Sequence, residues 1–143
     1  MVLVTLTGDS IPKVLQGRKV GTTRRPTDHW LRVVRKLERG EGADAQLWAG
    51  SPRNKGRLLW SAKIVRATLQ HGRSYDGEMV LKDGFQQKSE LAVRLAEHYN
   101  GPWTSQRDAD AWFDRELWVY IEWENPPRVE VRGEQLVEVP ITA

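Results

Sequence analysis

The segment "LWVYIEWE" constrains this chain most. Leu117, Val119, Ile121 and Trp123 fall on one side of it and Trp118, Tyr120 and Glu122 on the other, a period of two that marks a β-strand. Any fold must therefore supply a sheet to receive it. At the other end of the chain Val2, Val4 and Leu6 alternate with Leu3, Thr5 and Thr7, which predicts a second strand, buried on one face or both. "AQLWAG" reads as a third strand and "SPRNKG" as a turn. "RLLWSAKIVRATL" is a long β-prone stretch whose imperfect alternation predicts a bulge or bend. "RVEVRGEQLVEVPI" predicts a terminal hairpin turning near Gly133.

Helical patterns interrupt these strands. Asp9 or Ser10 can cap a short helix that places Ile11, Val14 and Leu15 on one face, tolerates Pro12 in its first turn and ends at Gly17. Residues 18–24 then leave as an extended segment or loop. From Thr27 onward Trp30, Val33, Val34 and Leu37 follow the i, i+3, i+4, i+7 spacing of a helix that "RGEGAD" ends. "KSELAVRLAEHY" puts Leu91, Leu95 and His98 on one helical face and stops at Asn100, Gly101 and Pro102. Strands and helices mix without regular alternation, which favours an α+β fold over a doubly wound sheet. With 143 residues, 39% of them hydrophobic, one domain suffices.

Composition excludes several chemistries. There is no cysteine, so disulfides, thiolate metal sites and cysteine nucleophiles are absent together. His29, His71 and His98 are scattered without ligand spacing, so no metal site is expected and each reads as a surface or satisfied core histidine. "GSPRNKG" lacks the Ser or Thr of a phosphate loop, and no G-x-S-x-G elbow occurs. No cofactor is expected. The opening "MVLVTLTGD" has no basic leader, and no run approaches the roughly 18 apolar residues of a membrane span. A soluble, cytoplasmic protein without a membrane partner is the expectation.

Charge is distributed unevenly around a net +3. Between Asp9 and Asp28 there is no acid, against Lys13, Arg18, Lys19, Arg24 and Arg25; between Asp44 and Asp76 there is again none, against Arg53, Lys55, Arg57, Lys63, Arg66 and Arg73. Were the two tracts neighbours, they would form a positive surface suited to phosphates. Most of the seven tryptophans are expected in the core, with Trp48, Trp103 and Trp118 as candidates for stacking on bases in a groove.

Within the first tract, "GRKVGTTR" sets Gly17, Lys19, Thr22 and Arg24 at fixed spacing. This resembles the signature of the ASCH family, small domains with a PUA-like fold. "KDGFQQKSEL" resembles the family's Asp-Gly-Phe element, and "LWVYIEW" its closing strand. The resemblance covers roughly residues 2–124 and implies an α+β, PUA-like curved sheet or barrel over residues 1–127. A helical insertion near 28–39 and a hairpin extension over 128–143 would be additions to it. Most members carry glutamate where Thr22 stands. Threonine there is instead the pattern of the small ASCH amidohydrolases that deacetylate N4-acetylcytidine, which implies a catalytic set of Lys19, Thr22 and Asp83. Asp83 stands where those enzymes have glutamate, one methylene shorter.

The chemistry asks for a lysine whose pKa is lowered, so that it can take the threonine proton. Lys19 and Thr22 point to opposite faces of an ideal strand, and Gly21, which permits a bulge or positive φ, is the residue expected to shift the phase. The functional expectation is recognition of RNA or a modified nucleoside in a basic cleft, through Arg18, Arg24, Arg25, Lys63 and Arg66. Its sharper form is amide hydrolysis of N4-acetylcytidine-like substrates. The alternatives are a non-catalytic RNA or other nucleic-acid binding module and an ASCH-type ribonuclease.

Overall fold

The computed structural model describes residues 1–101 and 104–124, and the backbone of residues 129–132 and 135–138. The chain runs β1 (Val2–Leu6), α1 (Ser10–Leu15), β2 (Gly21–Arg24), α2 (Asp28–Glu38), β3 (Ala43–Ala49), β4 (Arg57–His71), α3 (Gly77–Lys82), α4 (Lys88–His98), α5 (Gln106–Arg115) and β5 (Leu117–Trp123). After these, β6 (Val129–Arg132) and β7 (Gln135–Glu138) pair antiparallel, Arg132 opposite Gln135. The turn expected at Gly133 lies outside the described residues, as does Trp103.

Five strands form one sheet in the order β1-β3-β4-β5-β2, with β1 parallel to β3 and every other pair antiparallel. The order sends β2 to the far edge from β1, although the two are close in sequence. The sheet curls until these edges approach each other, and the Arg24 guanidinium of β2 donates from Nη2 to the Thr5 carbonyl of β1 at 2.7 Å. The bulge expected in β4 is present: its register against β5 shifts between Ile64 and Arg66. One extra residue resets the alternation, so Ala62, Ile64 and Ala67 all turn inward despite their odd spacing.

Strand β5 is covered on both sides. Val119, Ile121 and Trp123 join a core with β1, β3, β4 and the apolar face of α2, Val33 and Val34 included. Trp118 and Tyr120 join a second core with Tyr75, Met79, Leu91, Leu95, Trp112 and Phe113 from the α3 to α5 side. Trp118 is therefore not a groove residue: it is 0% exposed, and its indole Nε1 donates to the Phe113 carbonyl at 3.1 Å. A nucleobase has no access to it. Among the described residues no helix is long and apolar enough to cross a membrane.

Candidate functional site

The site is built by two chain reversals that meet. At the first, α1 ends and Gly17 takes φ 72°, so the backbone N–H groups of Arg18 and Lys19 both reach the Lys13 carbonyl, at 2.9 and 3.1 Å. Glycine adopts that left-handed conformation without the Cβ clash other residues meet. At the second, α3 ends at Asp83 and Gly84 takes φ 93°. The Val20 N–H donates to the Lys82 carbonyl at 2.8 Å and ties the two reversals together. Lys19 is thereby aimed at the end of α3, which explains why an Asp-Gly-Phe sequence stands there.

Lys19 and Asp83 form a buried ion pair, each residue only 3% exposed. The Lys19 Nζ donates to the Asp83 carboxylate through Oδ1 and to the Asp83 main-chain carbonyl at 2.8 Å. Thr23 donates its hydroxyl to Asp83 Oδ2 at 2.7 Å and lies 2.9 Å from the Tyr75 hydroxyl. Thr23 has one proton to give, so Tyr75 is the donor in that second bond. Burial pushes the Tyr75 phenol far above its ordinary value and keeps it protonated. Burial pulls the Lys19 ammonium below the ordinary lysine value of 10.5; Asp83 opposes the fall, while Arg24 and Lys13 add to it.

The pair opens on a cleft of about 200 Å³, lined on the β2 side by Lys19, Thr22, Thr23 and Arg24, and across from them by Arg94, Leu95, His98 and Tyr99 of α4 and its cap. Thr22 is buried and has no hydrogen-bond partner among the described residues, unlike Thr23. Arg24 has Trp30 under its guanidinium at 5.9 Å, and its Nε is buried without a partner. No carboxylate among the described residues forms an ion pair with Arg24, which lines the cleft; Asp83 acts on its charge only from a longer distance. Burial lowers the Arg24 pKa as well, but a guanidinium stays charged.

The expectation that Gly21 shifts the strand phase fails. Gly21 lies in regular β2 opposite Glu122, without a register shift or a positive φ. Its role is close approach, since a Cβ there would lie 2.7 Å from the Tyr120 hydroxyl oxygen. Lys19 instead precedes the strand and shares its parity with Thr23, and Asp83 bridges those two. Thr22 and Arg24 take the other parity. Because β2 is an edge strand, side chains from both its faces reach the same cleft.

The remaining expected site residues lie elsewhere. Arg18 is exposed and Arg25 packs over Tyr99, Trp112 and Trp118 at 5.4, 5.2 and 4.9 Å, with Glu116 at 3.4 Å. Lys63 is exposed on a shallow surface shared with Asp44 and Glu124, and Arg66 covers the Tyr120 ring. No residue of the second basic tract lines the cleft, so the two tracts do not form one groove. Thr23, Tyr75, Arg94 and Tyr99 escaped the sequence reading. Only Thr23 carried a signal, as neighbour of Thr22 in "TTR".

No protein-family model matches the chain, and no curated protein matches it. Among solved structures, protein EF3133 from Enterococcus faecalis V583, described as belonging to family DUF984, superposes with a TM-score of 0.53 at 15% identity, over 87% of this chain and 80% of that one. At such identity the likeness bears on architecture alone. With the curled five-stranded sheet and its flanking helices, it shows that this chain has an α+β, PUA-like fold.

Proposed function

We propose that the cleft binds a single N-acylated nucleoside of the N4-acetylcytidine type and hydrolyses its amide, the activity of the ASCH amidohydrolases that the Gly17, Lys19, Thr22 and Arg24 motif resembles. The carrying observation is the contrast between neighbouring threonines: Thr23 is locked to Asp83 and Tyr75, while Thr22 reaches the cleft with its hydroxyl unengaged. The cleft volume, about 200 Å³, favours a ligand of nucleoside size or less, below the roughly 300–1,000 Å³ of pockets for drug-sized ligands. An extended RNA groove would need the second basic tract, which lies away.

Lys19 spends two N–H groups on Asp83. The third tetrahedral position holds a proton in the ammonium and a lone pair in the amine. In the amine form Lys19 takes the Thr22 proton as Thr22 Oγ1 attacks the acyl carbon. The oxyanion that develops is stabilised by the Arg24 guanidinium, which lines the cleft without an ion-pair partner among the described residues. Collapse breaks the C–N bond, and the Lys19 proton passes to the departing exocyclic nitrogen. Water, deprotonated by the same lysine, then adds to the Thr22 ester; the bond from the acyl carbon to Oγ1 breaks and Lys19 returns the proton to Oγ1, giving a carboxylic acid and restoring Thr22 and the amine. Asp83 orients Lys19 throughout.

The test is turnover of N4-acetylcytidine followed chromatographically. Thr22→Ala and Lys19→Ala are each expected to lower kcat/KM by at least about 10³-fold, and the double variant little further, because the two act as one unit. Thr23→Ser should keep most activity. Full activity in Thr22→Ala would defeat the mechanism.

A further inference from the structure

Behind the Lys19–Asp83 pair runs a chain of hydrogen bonds that the steps above leave unused. Tyr75 and Thr23 are 6% and 5% exposed, and a buried hydroxyl is costly unless it is bonded. Here the two are bonded in series. Tyr75 donates to Thr23 at 2.9 Å, and Thr23 donates to Asp83 Oδ2 at 2.7 Å, which leaves Oδ1 to Lys19. The members come from three places: Thr23 from β2, Tyr75 from the turn between β4 and α3, and Asp83 from the end of α3. Phe113 and Tyr120 meet the Tyr75 ring edge to face, with ring centres 5.3 and 5.8 Å away, so the phenol is held in line. Packing alone does not require that hydroxyl. Its core also holds Met79, Leu91 and Phe113, and a phenylalanine would fill the same place. Among the described residues only Thr23 and Lys19 bond the Asp83 carboxylate.

We propose that Thr23 and Tyr75 are positioning residues, which fix one Asp83 oxygen so that only the other is turned to Lys19, and so limit the pull of Asp83 on the Lys19 proton. The proposal rests on reading Lys19 as the base of the cleft. A charge-assisted hydrogen bond from Thr23 shares the negative charge of Oδ2, and the Tyr75 donor polarises the Thr23 hydroxyl so that it donates more strongly. Freed of Thr23, the carboxylate can turn and bring both oxygens to Nζ. The ammonium is then held more tightly, and the amine forms only at higher pH. Burial pulls Lys19 below 10.5; the chain keeps Asp83 from undoing that. Because burial keeps the Tyr75 phenol protonated, the chain stays intact while Lys19 titrates. The other titratable and charged groups near Lys19 make no hydrogen bond to this carboxylate. Lys13 of α1 and Arg24 of β2 oppose the Lys19 charge, and Arg94 and His98 of α4 line the same cleft. Tyr120 of β5, with Arg66 of β4 over its ring, packs against Tyr75.

The experiment follows Lys19 by NMR in the full chain, made with carbon-13-labelled lysine, its Cε signal being the one that Lys19→Met removes. In parallel, kcat for N4-acetylcytidine is measured against pH. Thr23→Val is expected to raise the Lys19 midpoint by at least about half a pH unit, as loss of a hydrogen bond to a charged group should. Tyr75→Phe should raise it less, and Thr23→Ser should leave it in place. Thr23→Val with Tyr75→Phe should shift it no further than Thr23→Val alone, since Tyr75 acts through Thr23. Below the midpoint kcat in Thr23→Val should fall about threefold or more, while the plateau above it stays within about twofold, because the amine once formed is the same base. Circular dichroism and melting temperature report folding, and Tyr75→Phe, which keeps the ring, decides the matter if Thr23→Val does not fold. Unmoved midpoints in the folded variants would overturn the proposal. So would a lowered plateau with the midpoint unmoved, the mark of a merely structural role, and so would additive shifts in the double variant. A wild-type protein without turnover, whose variants still raise the NMR midpoint, would reject the hydrolytic reading and keep the assignment of Thr23 and Tyr75.

Discussion

Two stretches of this chain carry several cations and no acid, and they meet different fates. In residues 10–27 two of the cations are drawn inward, although Arg18 is exposed: Lys19 is buried against Asp83, and Arg24 bridges the two edges of the sheet. In residues 45–75 Lys63 and Arg66 stand on the outside of β4. The difference lies in the backbone each tract rides on. Two glycine reversals aim Lys19 at a helix end, whereas β4 alternates and sends its charged positions to solvent while Ala62, Ile64 and Ala67 fill the core. A charge held in the interior needs a built partner. A charge on a strand surface needs only water.

The largest consequence should appear on breaking the buried pair. Asp83→Ala leaves an uncompensated ammonium and a Thr23 hydroxyl without its acceptor, and Lys19→Met leaves a buried carboxylate. Each should cost about 3–5 kcal/mol in denaturant unfolding, and Lys19→Met with Asp83→Leu should cost less than either alone. Equal costs at Lys19 and Lys63 would erase the contrast between the tracts. The pH dependence sharpens it. Because Lys19 is lowered from 10.5 in the folded state, the unfolded chain holds the extra proton between the folded value and 10.5. Stability contributed by this group therefore rises with pH across that window. Subtracting the Lys19→Met curve isolates the term, since both proteins share the same tyrosines. Turnover should rise through the same folded value as the free amine forms, and Asp83→Asn should move that midpoint to lower pH by removing the attraction that holds the proton.

The strands and the two longer apolar helices were legible because their side chains repeat with the period of the element: "LWVYIEW" and the Trp30 to Leu37 stripe needed only counting. The β4 bulge was legible as a break in alternation. Helices α3 and α5 were not read, although Asp76 and Ser105 cap them through the N–H groups of Met79 and Asp108, at 2.8 and 3.2 Å. Helix α3 has only six residues, and α5, though ten residues long, sets only Ala109, Trp112 and Phe113 inward among five charged positions, so no apolar stripe stands out. Within the site, motif spacing brought Lys19, Thr22, Arg24 and Asp83 to one cleft, but the partner of Asp83 is Thr23. Which of two adjacent threonines meets a carboxylate 60 residues away depends on where β2 begins, and propensity does not fix that to one residue.

Gly21 provides the next test. Its missing Cβ lets the Tyr120 ring lie against β2 while the Tyr120 hydroxyl donates to Glu122 at 2.9 Å. Gly21→Ala must displace a fully buried ring and should cost about 1–3 kcal/mol, the usual range for overpacking. Gly42 has nothing within 4 Å of a built Cβ. Gly42→Ala should therefore be neutral or stabilise by up to about 1 kcal/mol, through the lower entropy of the unfolded chain. Thermal melts of the two variants make the comparison, and a tolerated Gly21→Ala would mean that β2 can move away from β5.

The smallest effects belong to the outer tract, and they separate two kinds of exposed cation. Lys63 pairs in register with Asp44 across β3 and β4, but no ion pair forms between the two and Lys63 is exposed. Lys63→Ala should change stability by no more than about 0.5 kcal/mol, as surface positions usually do. Arg66 is also exposed, yet its guanidinium lies over the Tyr120 ring at 5.5 Å. A cation over an aromatic face at an exposed site is worth about 0.5–1 kcal/mol, so Arg66→Ala should cost that much and Arg66→Lys less. Neither residue lines the cleft, and turnover of N4-acetylcytidine should follow the wild-type pH profile in both alanine variants. A changed KM in Lys63→Ala would bring the outer tract back into the substrate path and end the distinction drawn between the two.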